Sequence, residues 1–140
     1  MEPKELAVQA LLAFNDDGAK GFLDFLKAHE AFDPDFVMAI QSDAPNGGEW
    51  HGAEGFEEMV RSWLEAWDVF ELQPEEAIEL APGRLLIPTR QRAVARGIGL
   101  ELNERFFYTV NLEDGRFRRL GLFTDRSLAE AALGVGPGEG

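Results

Sequence analysis

The groups in this sequence best placed to do chemistry are the few polar side chains that fall inside apolar runs, because an acid or base gains power when its surroundings differ from water. Glu104 is the foremost. It sits in the alternating run Leu100, Leu102, Glu104, Phe106, Tyr108, Val110, where every second residue faces one side of a strand. A carboxylate on that side needs a partner or a ligand. A dry site would favour the protonated acid, able to hydrogen-bond a carbonyl, and a wetter one would leave a base able to take a proton beside a carbonyl. The structural alternative is that Glu104 bonds Gln91, Tyr108 or a helix-end amide and does nothing else. His51 precedes a helix and could exchange a proton at the mouth of a pocket, or simply pack near the helix start. His29 and His51, with no convergent carboxylate spacing, do not make a metal site, so neither metal nor cofactor is expected. Gly52-Ala53-Glu54-Gly55 opens a helix but lacks the glycine spacing and the following basic residue of a phosphate loop.

The elements that position these groups follow from periodicity. Leu6, Leu11, Leu12 and Phe14 predict a first helix ending at Asn15-Asp16-Asp17-Gly18; Phe22, Phe25 and Leu26 predict a second, ended by Asp33-Pro34-Asp35. Phe36 to Gln41 is short enough for a strand, and Ser42 to Gly48 reads as a flexible lip. Phe56, Met59, Val60, Trp63, Leu64 and Trp67 then recur at helical spacing, predicting one long amphipathic helix. From Val69 the period becomes two, with strands near 69–80, 84–96, 99–112 and 116–124. A short helix from Ser127 to Leu133, capped by Asp125 or Ser127, closes a single domain over 1–134, with 135–140 as a flexible tail.

Turn lengths decide which side chains meet. A two-residue turn at Gly97-Ile98 sets Gln91 opposite Glu104, Thr89 opposite Phe106 and Ile87 opposite Tyr108. A three-residue turn at Glu113-Asp114-Gly115 sets Tyr108 opposite Leu120 and Phe106 opposite Leu122. Both hairpins place the larger aliphatic residues on one face. The expected pocket therefore has Thr89, Phe106, Tyr108, Leu120 and Leu122 as walls and Gln91 with Glu104 as a polar centre. Trp50, Trp63 and Trp67 could stack on a flat ligand, although aromatic residues at helical spacing, as Trp63 and Trp67 are, more often belong to a core. The reverse face, with Arg90, Arg92 and Arg105, suits solvent or a subunit contact.

Composition narrows the partners. The 140 residues include 26 acidic and 13 basic side chains, a net charge of -13 that repels nucleic acid and anionic membrane. Hydrophobic residues make up 45%, with eleven Phe and three Trp, so one well-filled core is expected. There is no Cys, which removes thiolate chemistry and disulfides and leaves a reducing cytoplasm as the default location. No stretch approaches the roughly 20 apolar residues of a membrane-spanning helix, so the chain is expected to be neither exported nor embedded.

Glu49-Trp50-His51-Gly52-Ala53-Glu54-Gly55-Phe56, the helix through Trp63 and Trp67, Thr89-Arg90-Gln91-Arg92, Asn111 to Arg116 and the ending Phe123 to Gly134 resemble the SnoaL-like branch of the nuclear transport factor 2 superfamily. The resemblance spans nearly the whole chain and rests on the order and spacing of loose motifs. It implies a conical α+β fold: a curved antiparallel sheet wrapped around a long helix, two N-terminal helices and a short C-terminal helix. It also implies a pocket for a small hydrophobic molecule and a homodimer formed through the sheet. It does not imply one activity, because this fold hosts cyclases, isomerases, hydrolases, dehydratases and plain binding proteins. The epoxide hydrolase pattern wants acids where Arg92 and Gly121 stand, and the ketosteroid isomerase pattern wants a Tyr near Ala10 and acids near Ile40 and Phe107. Of the acids present, Asp43, displaced by a few residues, could stand in for the isomerase base. Two functions stay open: cofactor-free acid–base cyclisation or isomerisation of a carbonyl compound through Glu104, and non-catalytic binding of a small ligand or protein.

Overall fold

The computed structural model describes residues 1–41 and 47–134. Helix α1 (Pro3–Ala28) opens with Pro3, whose missing N–H costs nothing in a first turn, and breaks at Asp17 and Gly18. Gly18 adopts φ 59°, ψ -138°, a conformation that disfavours any side chain, so the two predicted N-terminal helices run as one element across a sharp kink. Asn15, expected only to mark a turn, does more. Its amide donates to Leu72 O at 2.7 Å and accepts from Leu72 N at 2.8 Å, copying a strand pairing and tying the kink to the sheet.

Strand β1 (Phe32–Ile40) follows, then β2 (Gly48–His51), helix α2 (Gly52–Leu64), strands β3 (Trp67–Pro74), β4 (Ile78–Ala81), β5 (Arg84–Ala95), β6 (Glu101–Glu113) and β7 (Arg116–Phe123), and helix α3 (Arg126–Ala132). The strands form a curved, unclosed sheet in the order β2-β1-β7-β6-β5-β3, with β4 also on β5. The α+β cone is as expected, but the sheet is mixed. β1 lies parallel to β7, with Met38 beside Leu120 and Ile40 beside Leu122. Periodicity carries no strand direction, and the long excursion between these two strands allows a parallel pairing that a hairpin forbids.

The β5–β6 register matches the expectation residue for residue: Leu85 with Val110, Ile87 with Tyr108, Thr89 with Phe106, Gln91 with Glu104. The β6–β7 register does not. Asp114 and Gly115 take φ 54° and 78°, making a two-residue left-handed turn that pairs Glu113 with Arg116. A bulge between Asn111 and Leu112 then brings Val110 opposite Leu120 and Tyr108 opposite Leu122. The face is preserved but the partners move by two residues.

Helix α2 stops at Leu64, so Trp67 belongs to β3 and not to the helix. Arg96 holds this corner: its Nε donates to Glu65 O at 2.9 Å and its Nη2 to Trp67 O at 3.2 Å. On the concave side of the sheet, Phe22 of α1, Phe56 of α2, Phe36 of β1 and Phe117 of β7 pack with ring centroids 5.0–6.2 Å apart. α3, capped by Asp125 through the amides of Ser127 and Leu128, buries Ala129 and Leu133 against Leu86 on the opposite face.

Candidate functional site

The curvature of the sheet leaves a cavity of about 220 Å³ beyond the end of the phenylalanine core. Its floor and walls come from Gln91 and Ala93 of β5, Leu102, Glu104 and Phe106 of β6, and Leu122 and Phe123 of β7. Trp63 from α2 and Trp67 with Phe70 from β3 form the opposite wall, and Ile40, Gln41 and Thr124 complete the rim. Rim residues are held together: Gln41 Oε1 accepts from Thr124 N at 3.0 Å and Thr124 Oγ1 at 3.1 Å. A second, smaller void of about 20 Å³ lies among buried side chains, between Phe14, Phe22, Met38, Leu72, Tyr108 and Leu120. Trp63 and Phe70, with ring centroids 4.8 Å apart, line both spaces and so form the partition between them.

The structure brings together Glu104, Gln91, Phe106, Leu122 and Trp63 of the expected residues. Glu104 differs from expectation in its exposure: it lines the cavity from an exposed position at the mouth, not from a desolvated interior. No hydrogen bond or ion pair engages its carboxylate among the described residues. Tyr108 and Leu120 face the deeper void, the latter because the bulged register draws it one step inward. Thr89 is fully buried and its hydroxyl donates to Ile87 O at 3.0 Å. Trp50 lines a separate recess with Met59 and Ala66. Alternation along β2 turns His51 away from Trp50; the imidazole is 72% exposed, 3.9 Å from Glu49, and outside the cavity lining. Asp43 lies outside the described residues, as does most of the expected lip. No group of three or more His, Asp or Glu able to hold a metal occurs among the described residues.

Sequence reasoning offered Trp67 as a stacking ring only on a helix it does not belong to, and missed Phe70, Ala93 and Leu102 as lining residues. The signal was present in β3, where Phe70 and Leu72 alternate; pairing this strand with β5 places Phe70 opposite Ala93 and Leu72 opposite Gln91.

One hydrogen bond joins the two spaces. Tyr108 is 2% exposed, and its hydroxyl donates to Gln91 Oε1 at 2.5 Å. Burial pushes the phenol's pKa far up, so the group stays protonated and a donor throughout the physiological range.

No protein-family model matches the chain, and no curated protein does. Solved structures do match. TerC, co-crystallised with polyporic acid, is 18% identical over 95% of this chain and 99% of its own, with a TM-score of 0.73. An NTF2-like protein from Burkholderia pseudomallei K96243 is 20% identical over 95% and 98%, also at 0.73. A protein from Jannaschia sp. CCS1 named for a SnoaL-like polyketide cyclase is 18% identical over 98% and 97%, at 0.67. At such identities the likeness is one of fold: the chain has the NTF2-like cone, SnoaL-like in form, that its sequence resembled.

Proposed function

We propose that this cone binds a small hydrophobic carbonyl compound in the cavity between α2, β3 and the open end of the sheet. The observation that carries this reading is an apolar recess in which Gln91 and Glu104 stand opposite each other among Trp63, Phe70, Phe106 and Leu122. At about 220 Å³ the space is smaller than the ~300–1,000 Å³ of drug-sized pockets, which suits a compound of one or two rings. Glu104 at the mouth and the net charge of -13 both disfavour an anionic ligand. A thermal-shift screen of neutral aryl ketones tests it, since a ligand selective for the native state raises the melting temperature. Leu122→Trp, which fills the cavity, should abolish any such rise; a rise that survives it would place the ligand elsewhere.

A catalytic reading rests on one further observation, the absence of any partner for the Glu104 carboxylate among the described residues. With a ketone held beside it, Glu104 would take a proton from the carbon next to the carbonyl, and cofactor-free cyclisation or isomerisation would follow. Glu104→Gln should then abolish turnover of a bound ketone and leave its affinity nearly unchanged. Turnover unaffected by that substitution leaves a binding protein in which Glu104 only frames the entrance.

A further inference from the structure

We infer that Tyr108 and Gln91 act as a pair that sets the hydrogen-bonding polarity of the cavity, with Tyr108 holding the Gln91 amide so that Nε2 presents a donor to the ligand. The inference rests on the reading of the cavity as a ligand site and adds to it which way the ligand must point and what it must carry. Gln91 is 5% exposed and lines the cavity, whereas Tyr108 lies in the deeper core, outside the cavity lining, and its hydroxyl reaches Gln91 from behind. Turning the amide over would set Nε2 against the phenol oxygen and leave the phenol hydrogen buried with no acceptor, a costly arrangement. Oε1 is therefore committed to Tyr108, and Nε2 has no partner among the described residues. The hydrogen-bonding atom that Gln91 leaves unused in the site is thus a donor, and the carboxylate of Glu104 is confined to the mouth. A ligand seated with an acceptor oxygen inward is matched; one seated with a donor inward meets another donor.

Three bicyclic probes of nearly equal size separate these cases: 1-indanone, which only accepts, indole, whose N–H only donates, and indane, which does neither. By calorimetric titration the native protein should bind 1-indanone roughly five- to tenfold more tightly than indane, with indole no better than indane. Gln91→Leu should bring 1-indanone down to indane while indane binding persists. Tyr108→Phe frees the amide to turn either face inward, so the preference for 1-indanone should shrink and indole should gain. A role for Tyr108 in packing alone would move all three affinities by one common factor, and that result would overturn the pairing. Equal binding of 1-indanone and indane by the native protein would overturn the donor assignment and leave the cavity standing as an apolar site. Failure of all three to bind the folded protein would remove both the inference and the reading beneath it.

Discussion

The two halves of the cone interior are built on the same strands yet are filled in opposite ways. Toward its narrow end, Phe22, Phe36, Phe56 and Phe117 interlock and leave a void of about 20 Å³; toward its open end, the same sheet faces a cavity of about 220 Å³. The difference lies in what the helices bring. α1 and α2 lay large rings over the narrow end, whereas beyond Trp63 no helix follows, and β5 offers Gln91 and Ala93 where a core would carry Leu or Phe. Stability is concentrated where packing is complete, and binding where the sheet outruns its cover.

The sharpest way to break this contrast is to remove one ring from each half. Phe36 has no exposed surface and touches rings on two other elements, so Phe36→Ala should destabilise by about 3–5 kcal/mol in urea unfolding. Phe106 is only partly buried, and its space would merge with a cavity already open. Phe106→Ala should cost about 1–2 kcal/mol, less than a full burial term. Equal losses would mean that the open half contributes to the core as fully as the narrow one.

The narrow half was also the more legible. Helical spacing of Phe22 with Leu26 on α1 and of Phe56 with Val60 on α2 identifies buried stripes directly, and the register expected from a turn at Gly97-Ile98 holds for every β5–β6 pair, although the chain reverses there through a four-residue loop in which Gly99 N donates to Ala95 O at 3.1 Å. Apart from the direction of β1 and the joining of the two N-terminal helices, what failed lies around the open half, each time for a physical reason. Trp67 falls four residues after Trp63, so helical period continues through a helix that has already ended, and neither Glu65 nor Ala66 is a breaker. The bulge after the Asp114-Gly115 turn preserves the inward face, so alternation could not reveal that Leu120 had moved away from the cavity. Strand β2 is four residues long, too short for a period, yet it decides that His51 faces away from the ligand site. Exposure of Glu104 was hidden because alternation gives a side chain's direction but not how far the opposite wall extends.

A smaller effect should appear where the narrow half is closed at its edge. Asp33, at the start of β1, accepts from Asp35 N through Oδ1 at 2.8 Å and from Arg118 Nε through Oδ2 at 2.9 Å. The Asp35 amide first, and then the Arg118 guanidinium, hold its carboxyl below the usual 3.8. A group whose pKa is depressed by folding adds stability in full above its unfolded value and loses it as pH falls through its folded value. The difference in unfolding midpoint between the native protein and Asp33→Asn should therefore be largest near neutrality, begin to shrink as pH drops toward 3.8, and close below it. Unfolding curves from pH 7 to pH 3 measure this. A gap that stays constant to pH 3 would assign the effect of Asp33 to its shape at the β1 entrance and not to its charge. The same edge carries Phe32 and Phe36, so a closing gap would show that the dry end of the cone is fastened partly by a titratable pair, while the open end keeps its one lining carboxylate unpaired among the described residues.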